Sequence, residues 1–446
     1  MQLLLLLIAY TKPINDDLLL EKLLREKSFQ LYNFRFSYPN RLISPILYDY
    51  IPAKPVTFKL NFETEFNKEP GIDFYPTFLY DRLTYGIVVE PLFRTGKTSG
   101  WPYLKWHNKI AGAFSRAYLF YDKSPLTILL GRTRLQLNLE SLLSEEDPPI
   151  DLVFASYKNS SFNFSFFTGQ LDSYITQDSS YFYKPGETFN RYISGHSIEF
   201  RRKNYSLSFS ELALYFTSTN LPDPYFLNPF ILYHTRFLDT EENGDHNVFW
   251  ILAGNYQGAK FISQFEFSID DWHIHDVNVW GPNKFAWIFR TYFTDFPLTG
   301  FQSGISYSGA TRWVFVHRLE LLYFKNKTET MGTLNDNDFD SLSIFLRKPF
   351  LNSFSHCKLT VSYKRKGEGS INDKDYTYYL DSGPLETFLS GTVEHRLGSS
   401  INFEIITKNS RLMLDISLQK IFNTNHIKGK SSSELSAKIF ISTRAY

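Results

Sequence analysis

The stretch VTFKLNFETEF, residues 56–66, alternates apolar and polar side chains along its length. The apolar set is Val56, Phe58, Leu60, Phe62 and Phe66. The polar set is Thr57, Lys59, Asn61, Glu63 and Glu65. Because successive side chains of a β-strand point to opposite faces of its sheet, this stretch predicts a strand with one apolar and one polar face.

The same alternation recurs along the chain, at 205–215, 261–269, 285–293, 313–323 and 412–418. The predicted strands have about 9–12 residues, the length of a tilted strand that crosses a bilayer, although the alternating part of 412–418 is shorter. The polar faces carry opposite charges, such as Glu199 with Arg201 and Arg318 with Glu320, which suit a wet interior. We therefore predict an all-β fold, a large antiparallel transmembrane β-barrel of about 18 strands with a short N-terminal helix. Such a sheet must close, because an open edge in lipid leaves backbone groups unsatisfied.

The composition agrees with strands that are apolar on one side only. Aromatic residues make up 18% of the 446 residues, with 43 Phe and 29 Tyr, yet the mean hydropathy is −0.26. Past the N-terminus, no apolar run approaches the roughly 18–20 residues of a membrane helix. The balance of 47 basic against 46 acidic residues argues against a nucleic-acid binder. The single cysteine, Cys357, excludes an intramolecular disulfide and a cysteine-based metal cluster.

The N-terminal region divides into two segments ahead of the barrel. Residues 3–9 form a short apolar stretch, so we expect a degenerate or truncated signal segment over 1–16. Leucines at helical spacing in 17–27 predict a short helix within a periplasmic segment, 17–50. The barrel should then occupy 51–446.

Loop lengths test the topology, because outer-membrane barrels have short periplasmic turns and long external loops. Tight turns are expected at 81–83, 122–125, 158–160, 203–204 and 257–259, and long loops at 94–112, 137–151, 170–190, 217–247 and 270–284. The alternation holds for about twelve strands. After residue 293 it slips, because 325–340 and 365–385 are long but fall on the periplasmic side of the count.

The last predicted strand, 435–446, ends the chain on an aromatic residue, Tyr446. Barrels of this class commonly end this way, and the barrel assembly machinery reads that end. Tyr446 has the parity of Phe440 rather than of Ile439 and Ile441, so the match is imperfect. Any C-terminal strand could also end in tyrosine by chance.

Charged side chains on the polar faces form a candidate network inside the barrel. Its members are Glu199, Arg201, Glu266, Asp270, Arg290, Arg318 and Glu320. The network could line or block a conduit, or its members could simply neutralise one another. We favour the second interpretation, because an unpaired buried charge is costly. Glu211 departs from the pattern, since it lies on the apolar parity of its strand, through a bulge or a position beyond the hydrocarbon zone.

Clustered aromatic residues in the expected external loops are candidates for carbohydrate binding. They are Trp101, Tyr103, Trp106, Tyr181, Tyr183, Trp272 and Trp280. Aromatic rings with a polar handle suit stacking on the C–H faces of sugars. The competing interpretation is the interfacial aromatic girdle of every such barrel, which we favour for any one residue.

Signals for an enzyme are weak. RTGKTSG at 94–100 ends like a phosphate-binding loop but lacks the earlier glycine, since Pro91 occupies that position. His273 and His275 would share one strand face, yet a lone pair rarely makes a metal site. His196 and Ser197 are adjacent and so point to opposite sides of a strand. We expect no enzymatic activity, no cofactor and no metal.

Four stretches of the central region resemble the capsule assembly protein Wzi family. They are RYISGHSIEFR at 191–201, LSFSELALY at 207–215, PYFLNPFILYH at 224–234 and QFEFSIDDW at 264–272. Upstream, Gly131-Arg132 and PPID at 148–151 fit the same pattern. The resemblance covers roughly 130–290, and the specificity lies in the order and spacing of the motifs. It implies an outer-membrane barrel that attaches capsular polysaccharide without catalysis, with a periplasmic helical element that only 17–27 could supply here.

We therefore expect a protein of the outer membrane of a Gram-negative-type bacterium that holds capsular or exopolysaccharide at the cell surface, in the manner of a lectin. Its other expected partners are outer-membrane lipid and the assembly machinery, and we expect a monomer. The alternative is a channel for sugars or other small solutes. A barrel-embedded hydrolase would need a nucleophile, a base and an orienting group at the rim, and the sequence indicates no such trio.

Overall fold

The computed structural model describes most of the chain from residue 56 onward, together with 35–36. The described ranges are 56–66, 71–81, 84–96, 105–107, 110–139, 142–144, 147–176, 184–236, 246–272, 282–317, 319–326, 329–332, 334, 336–350, 352–373, 388–406 and 410–445. The predicted signal segment and helix, and Tyr446, lie outside these ranges. None of the described helices is long and apolar enough to cross a membrane.

Eighteen long strands of the described chain form the main sheet. They are β1 Val56–Phe66, β2 Gly71–Asp81, β3 Tyr85–Thr95, β4 Ile110–Lys123, β5 Leu126–Thr133, β6 Ile150–Lys158, β7 Phe162–Ile175, β8 Thr188–Arg202, β9 Tyr205–Thr217, β10 His246–Gln257, β11 Phe261–Asp271, β12 Lys284–Thr294, β13 Gln302–Ala310, β14 Phe339–Phe350, β15 Asn352–Lys366, β16 Glu394–Ile406, β17 Ser410–Phe422 and β18 Ser431–Ala445.

The minor elements are short. Lys105–His107 pairs with β4, Lys325–Asn326 with Glu329–Thr330, and Arg35–Phe36 with Leu135–Gln136. Single 3-10 turns occur at Pro224–Leu227, Tyr233–Thr235, Glu320–Leu322 and Thr424–His426.

The sheet closes into a barrel. Each strand pairs antiparallel with its neighbour in the chain, and β1 pairs with β18 from Phe58 opposite Ala445 to Phe66 opposite Ala437. Closure satisfies the backbone groups that an open edge would leave unpaired in lipid. The prediction of an all-β antiparallel transmembrane barrel of about 18 strands is confirmed.

The outer wall carries a belt of exposed apolar side chains. Leu119, Leu130, Leu207, Phe289 and Ile344 are each about half exposed, and each lies at an outward position of its strand. Large exposed apolar surface of this kind is unfavourable in water and favourable against lipid tails. The outer wall of the barrel is therefore its lipid-facing surface.

Connection lengths alternate around the barrel, except that 67–70, at the end of the long connections, has four residues. At one end the connections have one to seven residues, from 351 alone to 295–301. At the other end they reach 28 residues, at 218–245 and at 311–338. Because barrels of this class have short periplasmic turns, the end with the long connections is the external end.

The predicted strand at 313–323 is wrong, and this error caused the slip in the loop count. These residues belong to the connection 311–338, where Trp313–Phe315 form a turn and Phe315 has a φ of 71°. A bulky residue in that left-handed region is incompatible with an extended strand. Once 313–323 is removed from the strand count, short and long connections alternate from 82–84 to 423–430.

Two of the external connections fold into the barrel. We name them the first inner segment (134–149) and the second inner segment (311–338). Leu139 and Leu143 of the first and Phe315 and Leu321 of the second are 0% exposed. They belong to one apolar core with wall residues from β2 to β14, including Phe249 of β10.

The alternation predicted a polar interior, but part of the interior is apolar. On β9 the inward side chains are polar near the tight turn, at Ser206, Ser208 and Ser210, and apolar near the long connection, at Leu212 and Leu214. The change occurs because the upper positions face the inner segments. On β9 the dry part of the interior therefore lies toward the external end of the strand.

Candidate functional site

Two carboxylates of the barrel wall hold the inner segments by their backbone. The N–H of Leu139 donates to Oε2 of Glu266 at 2.6 Å. The N–H of Phe315 donates to Oδ2 of Asp270 at 3.0 Å. Both carboxylates project inward from β11 and are buried. An irregular segment in a dry interior needs acceptors for its N–H groups, and charged acceptors make the stronger hydrogen bonds.

A buried arginine of the barrel wall donates hydrogen bonds to backbone carbonyl groups of the second inner segment. Arg191 of β8 donates from Nε to the carbonyl of Leu321 at 2.6 Å and from Nη2 to the carbonyl of Tyr323 at 2.6 Å. Its Nη1 pairs with Asp172 of β7 at 2.7 Å. The guanidinium thus joins the barrel wall to the second inner segment and retains a counter-charge.

The inner segments also bind each other. Asp147 of the first segment accepts a hydrogen bond from the N–H of Gly332 in the second at 2.8 Å. Asn326 donates to the carbonyl of Pro148 at 3.3 Å. Burial lowers the pKa of Lys325 in this region, and the positive charge of Arg191 lowers it further. The two hydrogen bonds join the inner segments into one plug. Phe324 of this plug packs on Phe249 of the barrel wall, with 4.8 Å between ring centroids.

The proposed interior network separates into groups with different partners. Glu199 pairs with Arg201 of its own strand near the tight-turn end, whereas Glu266 and Asp270 hold the plug. Arg290 lies on the inward face of β12, opposite Gln264.

The remaining two members of that network came from the strand at 313–323. Glu320 lies in a 3-10 turn of the second inner segment and accepts a hydrogen bond from the hydroxyl of Tyr174. Glu320 therefore does not lie in a strand, as its predicted pairing with Arg318 on one strand face required. Arg318 itself lies outside the described residues.

Among the carbohydrate-binding candidates, Trp272 is the one whose side chain the structure describes. It follows β11 at the external end and is 58% exposed. Trp106 lies in the short strand Lys105–His107, described by its backbone alone. Trp101, Tyr103, Tyr181, Tyr183 and Trp280 lie outside the described residues, as do His273 and His275.

The wall formed by the last five strands has a largely polar inner face. Arg347 of β14 donates to Gln302 at 3.0 Å, and His356 of β15 lies 3.5 Å from Glu404 of β16. Asn402 of β16 donates to Asp415 of β17 at 3.2 Å. We name this wall, β14 to β18, the polar sector.

Glu211 has a structural role that its strand alone could not reveal. It points outward from β9, yet it is 0% exposed because residues 218–236 fold over it on the outside of the barrel. We name these residues the outer strap. The resembling stretch at 224–234 lies within it, and the backbone of Tyr233 and His234 donates to the Glu211 carboxylate. The one sequence signal was the acidic residue at an apolar position.

Neither protein-family models nor curated proteins match this sequence. Solved structures do match. One is Wzi of Escherichia coli, described as an outer-membrane protein involved in group 1 capsule assembly and as a carbohydrate-binding β-barrel, with a TM-score of 0.59 and 9% identity over 97% of this chain and 89% of that one.

Two porin-like structures of Pseudomonas aeruginosa match as well. OccD3 (OpdP) gives a TM-score of 0.51 at 9% identity, over 92% of this chain and 98% of that one. OprD gives 0.50 at 9% identity, over 88% and 94%. Identities this low show a shared fold. The chain therefore has the closed antiparallel β-barrel fold of these proteins.

Proposed function

We propose that this protein holds capsular or extracellular polysaccharide at the cell surface through its external loops, as a non-enzymatic member of a Wzi-like group. The observation that carries the proposal is the plug. Glu266 and Asp270 anchor two external connections inside the barrel, and the apolar core they form touches the wall from β2 to β14. Binding needs a rigid platform, whereas free diffusion needs a water-filled path.

The plug also provides a firm base for an exposed aromatic side chain. Asp270 accepts the N–H of Phe315, and two residues later Trp272 stands exposed at the external end of the same strand. A tryptophan ring there can stack on a sugar ring. Many such weak contacts along one polymer give retention by avidity, without a deep pocket. The carbohydrate-binding description of Wzi, whose fold this chain shares, supports the same function.

The experiment is deletion of the gene, followed by measurement of cell-bound and released polysaccharide. We expect the cell-bound share to fall and the share in the medium to rise at unchanged total synthesis, because the export steps remain intact. Re-expression of the unmodified chain should restore retention. If retention is unchanged in the deletion strain, the proposal is wrong.

A second candidate function is conduction of small polar solutes along the polar sector. Its support is the row of charged and amide side chains on that wall, including Arg347, His356 and Asp415, and the fold shared with OprD. Conductance in planar bilayers separates the two functions. A channel gives discrete current steps, and a plugged binding protein gives none.

A further inference from the structure

The outer strap lies against the lipid-facing wall instead of projecting into water. It leaves the external end of β9 and folds back over β8, β9 and β10. Phe226 stacks on Tyr215 with 4.2 Å between ring centroids, and Tyr233 packs on His196 at 4.7 Å. Tyr215 and His196 are outward side chains, with the same parity as the exposed Tyr205 and Phe200 of their strands.

A buried carboxylate fastens the strap at mid-strand. Oε2 of Glu211 accepts the N–H of Tyr233 at 2.5 Å, and Oε1 accepts the N–H of His234 at 3.2 Å and Nε1–H of Trp250 at 2.8 Å. Glu211 is the seventh of the thirteen residues of β9. A charged side chain at this depth on the lipid-facing wall is unfavourable unless protein covers it and satisfies its oxygens.

The strap continues beyond Glu211 toward the tight turns. Phe230 stacks on Phe164 of β7, with 5.6 Å between ring centroids and 5° between planes. Phe164 pairs with Ile198, and Ile198 pairs with Phe209, so the contact lies two residues past Glu211 along β9. The tip therefore reaches a level eight residues below Thr217, the external end of that strand.

The surface that the strap presents outward is mainly apolar, although Asn228 and His234 are exposed as well. Phe230 is 85% exposed, and Leu221, Leu227 and Leu232 are also exposed. Pro222, Pro224 and Pro229 remove three N–H donors that lipid could not satisfy. The charges of Asp223 and Arg236 lie where the strap begins and ends, and they pair with each other at 3.0 Å.

We propose that the outer strap is immersed in the outer leaflet and that Phe230 and Leu232 contact lipid acyl chains there. The occupant follows from position: the tip lies within the apolar belt, beside β7 and β9, and lipid fills the space outside that belt. Phe226 and Tyr233 of the strap face the barrel, whereas Phe230 and Leu232 face away, and the exposed Asn228 accepts the N–H of Phe230 at 3.1 Å. The outer strap thus anchors the barrel in lipid and does not contribute to the surface that binds polysaccharide.

The test uses site-directed spin labels in chains carrying Cys357→Ser, reconstituted in dioleoylphosphatidylcholine vesicles. Phe230→Cys reports on the strap, Leu207→Cys on the belt of β9, and Ser160→Cys on a tight turn in water. Power saturation with molecular oxygen and with a water-soluble nickel chelate measures the exposure of each label. A folding shift on gels selects correctly folded protein, and Leu232→Cys replaces Phe230→Cys if that variant does not fold.

We expect the label at 230 to behave like the label at 207, with collisions with oxygen several-fold more frequent than with nickel, and the label at 160 to show the reverse. Strong nickel exposure at 230 would overturn the proposal, because the strap would then lie in water. Protection from both reagents would overturn it as well, since protein, such as a second copy of the chain, would cover the tip.

Discussion

The N–H of Tyr233 donates a hydrogen bond to Oε2 of Glu211 at 2.5 Å, although 22 residues and a change of direction separate the two. This bond joins an external connection to the lipid-facing wall of β9. It explains how an acidic residue occupies an outward position near the middle of a membrane strand. Without the strap, the same carboxylate would face lipid, which is unfavourable on the outer surface of a barrel.

Glu211→Ala should destabilise the barrel, because it removes the acceptor of three hydrogen bonds and leaves the donors of Tyr233, His234 and Trp250 beside lipid. We expect the free energy of unfolding to fall by about 2–4 kcal/mol. Urea unfolding in vesicles measures it. Glu211→Gln retains one acceptor oxygen and should lose less than the alanine variant. Equal stability of the alanine variant and the unmodified chain would refute the role of Glu211.

Glu266→Ala should loosen the first inner segment, because the N–H of Leu139 loses its acceptor. Amide hydrogen exchange followed by mass spectrometry should show exchange about tenfold faster in 135–144, the equivalent of roughly 1.4 kcal/mol. Glu199→Gln is the matched control, since Glu199 pairs with Arg201 near the tight turns. If both variants exchange alike in that segment, Glu266 does not anchor the plug.

Gly131→Ala should destabilise the barrel more than Gly186→Ala. Both glycines have positive φ, 128° and 85°, so both substitutions strain the backbone. A Cβ at Gly131 would also lie 2.4 Å from the carbonyl oxygen of Ala117, whereas nothing lies within 4 Å at Gly186. We expect losses of about 3 and about 1 kcal/mol in unfolding free energy. Equal losses would mean that β4 yields to the new methyl group.

Trp272→Ala should weaken capture of the cell's own polysaccharide by purified protein, by about three- to tenfold if one ring stacks on one sugar. Tyr205→Ala is the control, because Tyr205 is an exposed aromatic residue at the tight-turn end. Binding to immobilised polysaccharide measures both. A loss shared by both variants, or by neither, would remove Trp272 from the sugar-binding surface.

Strand alternation was sufficient to predict the barrel, because lipid outside and polar groups inside impose a period of two on every strand. Val56–Phe66 shows this at every position except Thr64, and it closes the sheet against β18. The same signal failed at 313–323. Phe315, Leu319 and Leu321 fit the alternation of a strand, yet they pack in a dry core that other parts of the chain create. A period of two does not reveal whether the apolar side faces lipid or protein.

The contacts of the site could not be read from the sequence, because they join irregular segments to distant strands. Glu266 and Leu139 are 127 residues apart, and Arg191 and Leu321 are 130 apart. Strand alternation placed Glu266 on the inward face, but it could not predict which backbone N–H donates a hydrogen bond to Glu266. Glu211 was identifiable as an exception to the alternation, but the strap that covers it has no regular sequence pattern from which its fold could be predicted.

The central claim is that the plug closes the barrel, so that the protein binds polysaccharide and does not conduct solutes. Single-molecule conductance of the unmodified chain in planar bilayers tests this claim most directly. With Glu266, Asp270 and Arg191 holding both inner segments, we predict no discrete current steps at moderate voltage. A variant lacking 136–147 should open and give steps, which shows that the assay detects the barrel. Regular steps from the unmodified chain, comparable to those of the shortened variant, would contradict the account.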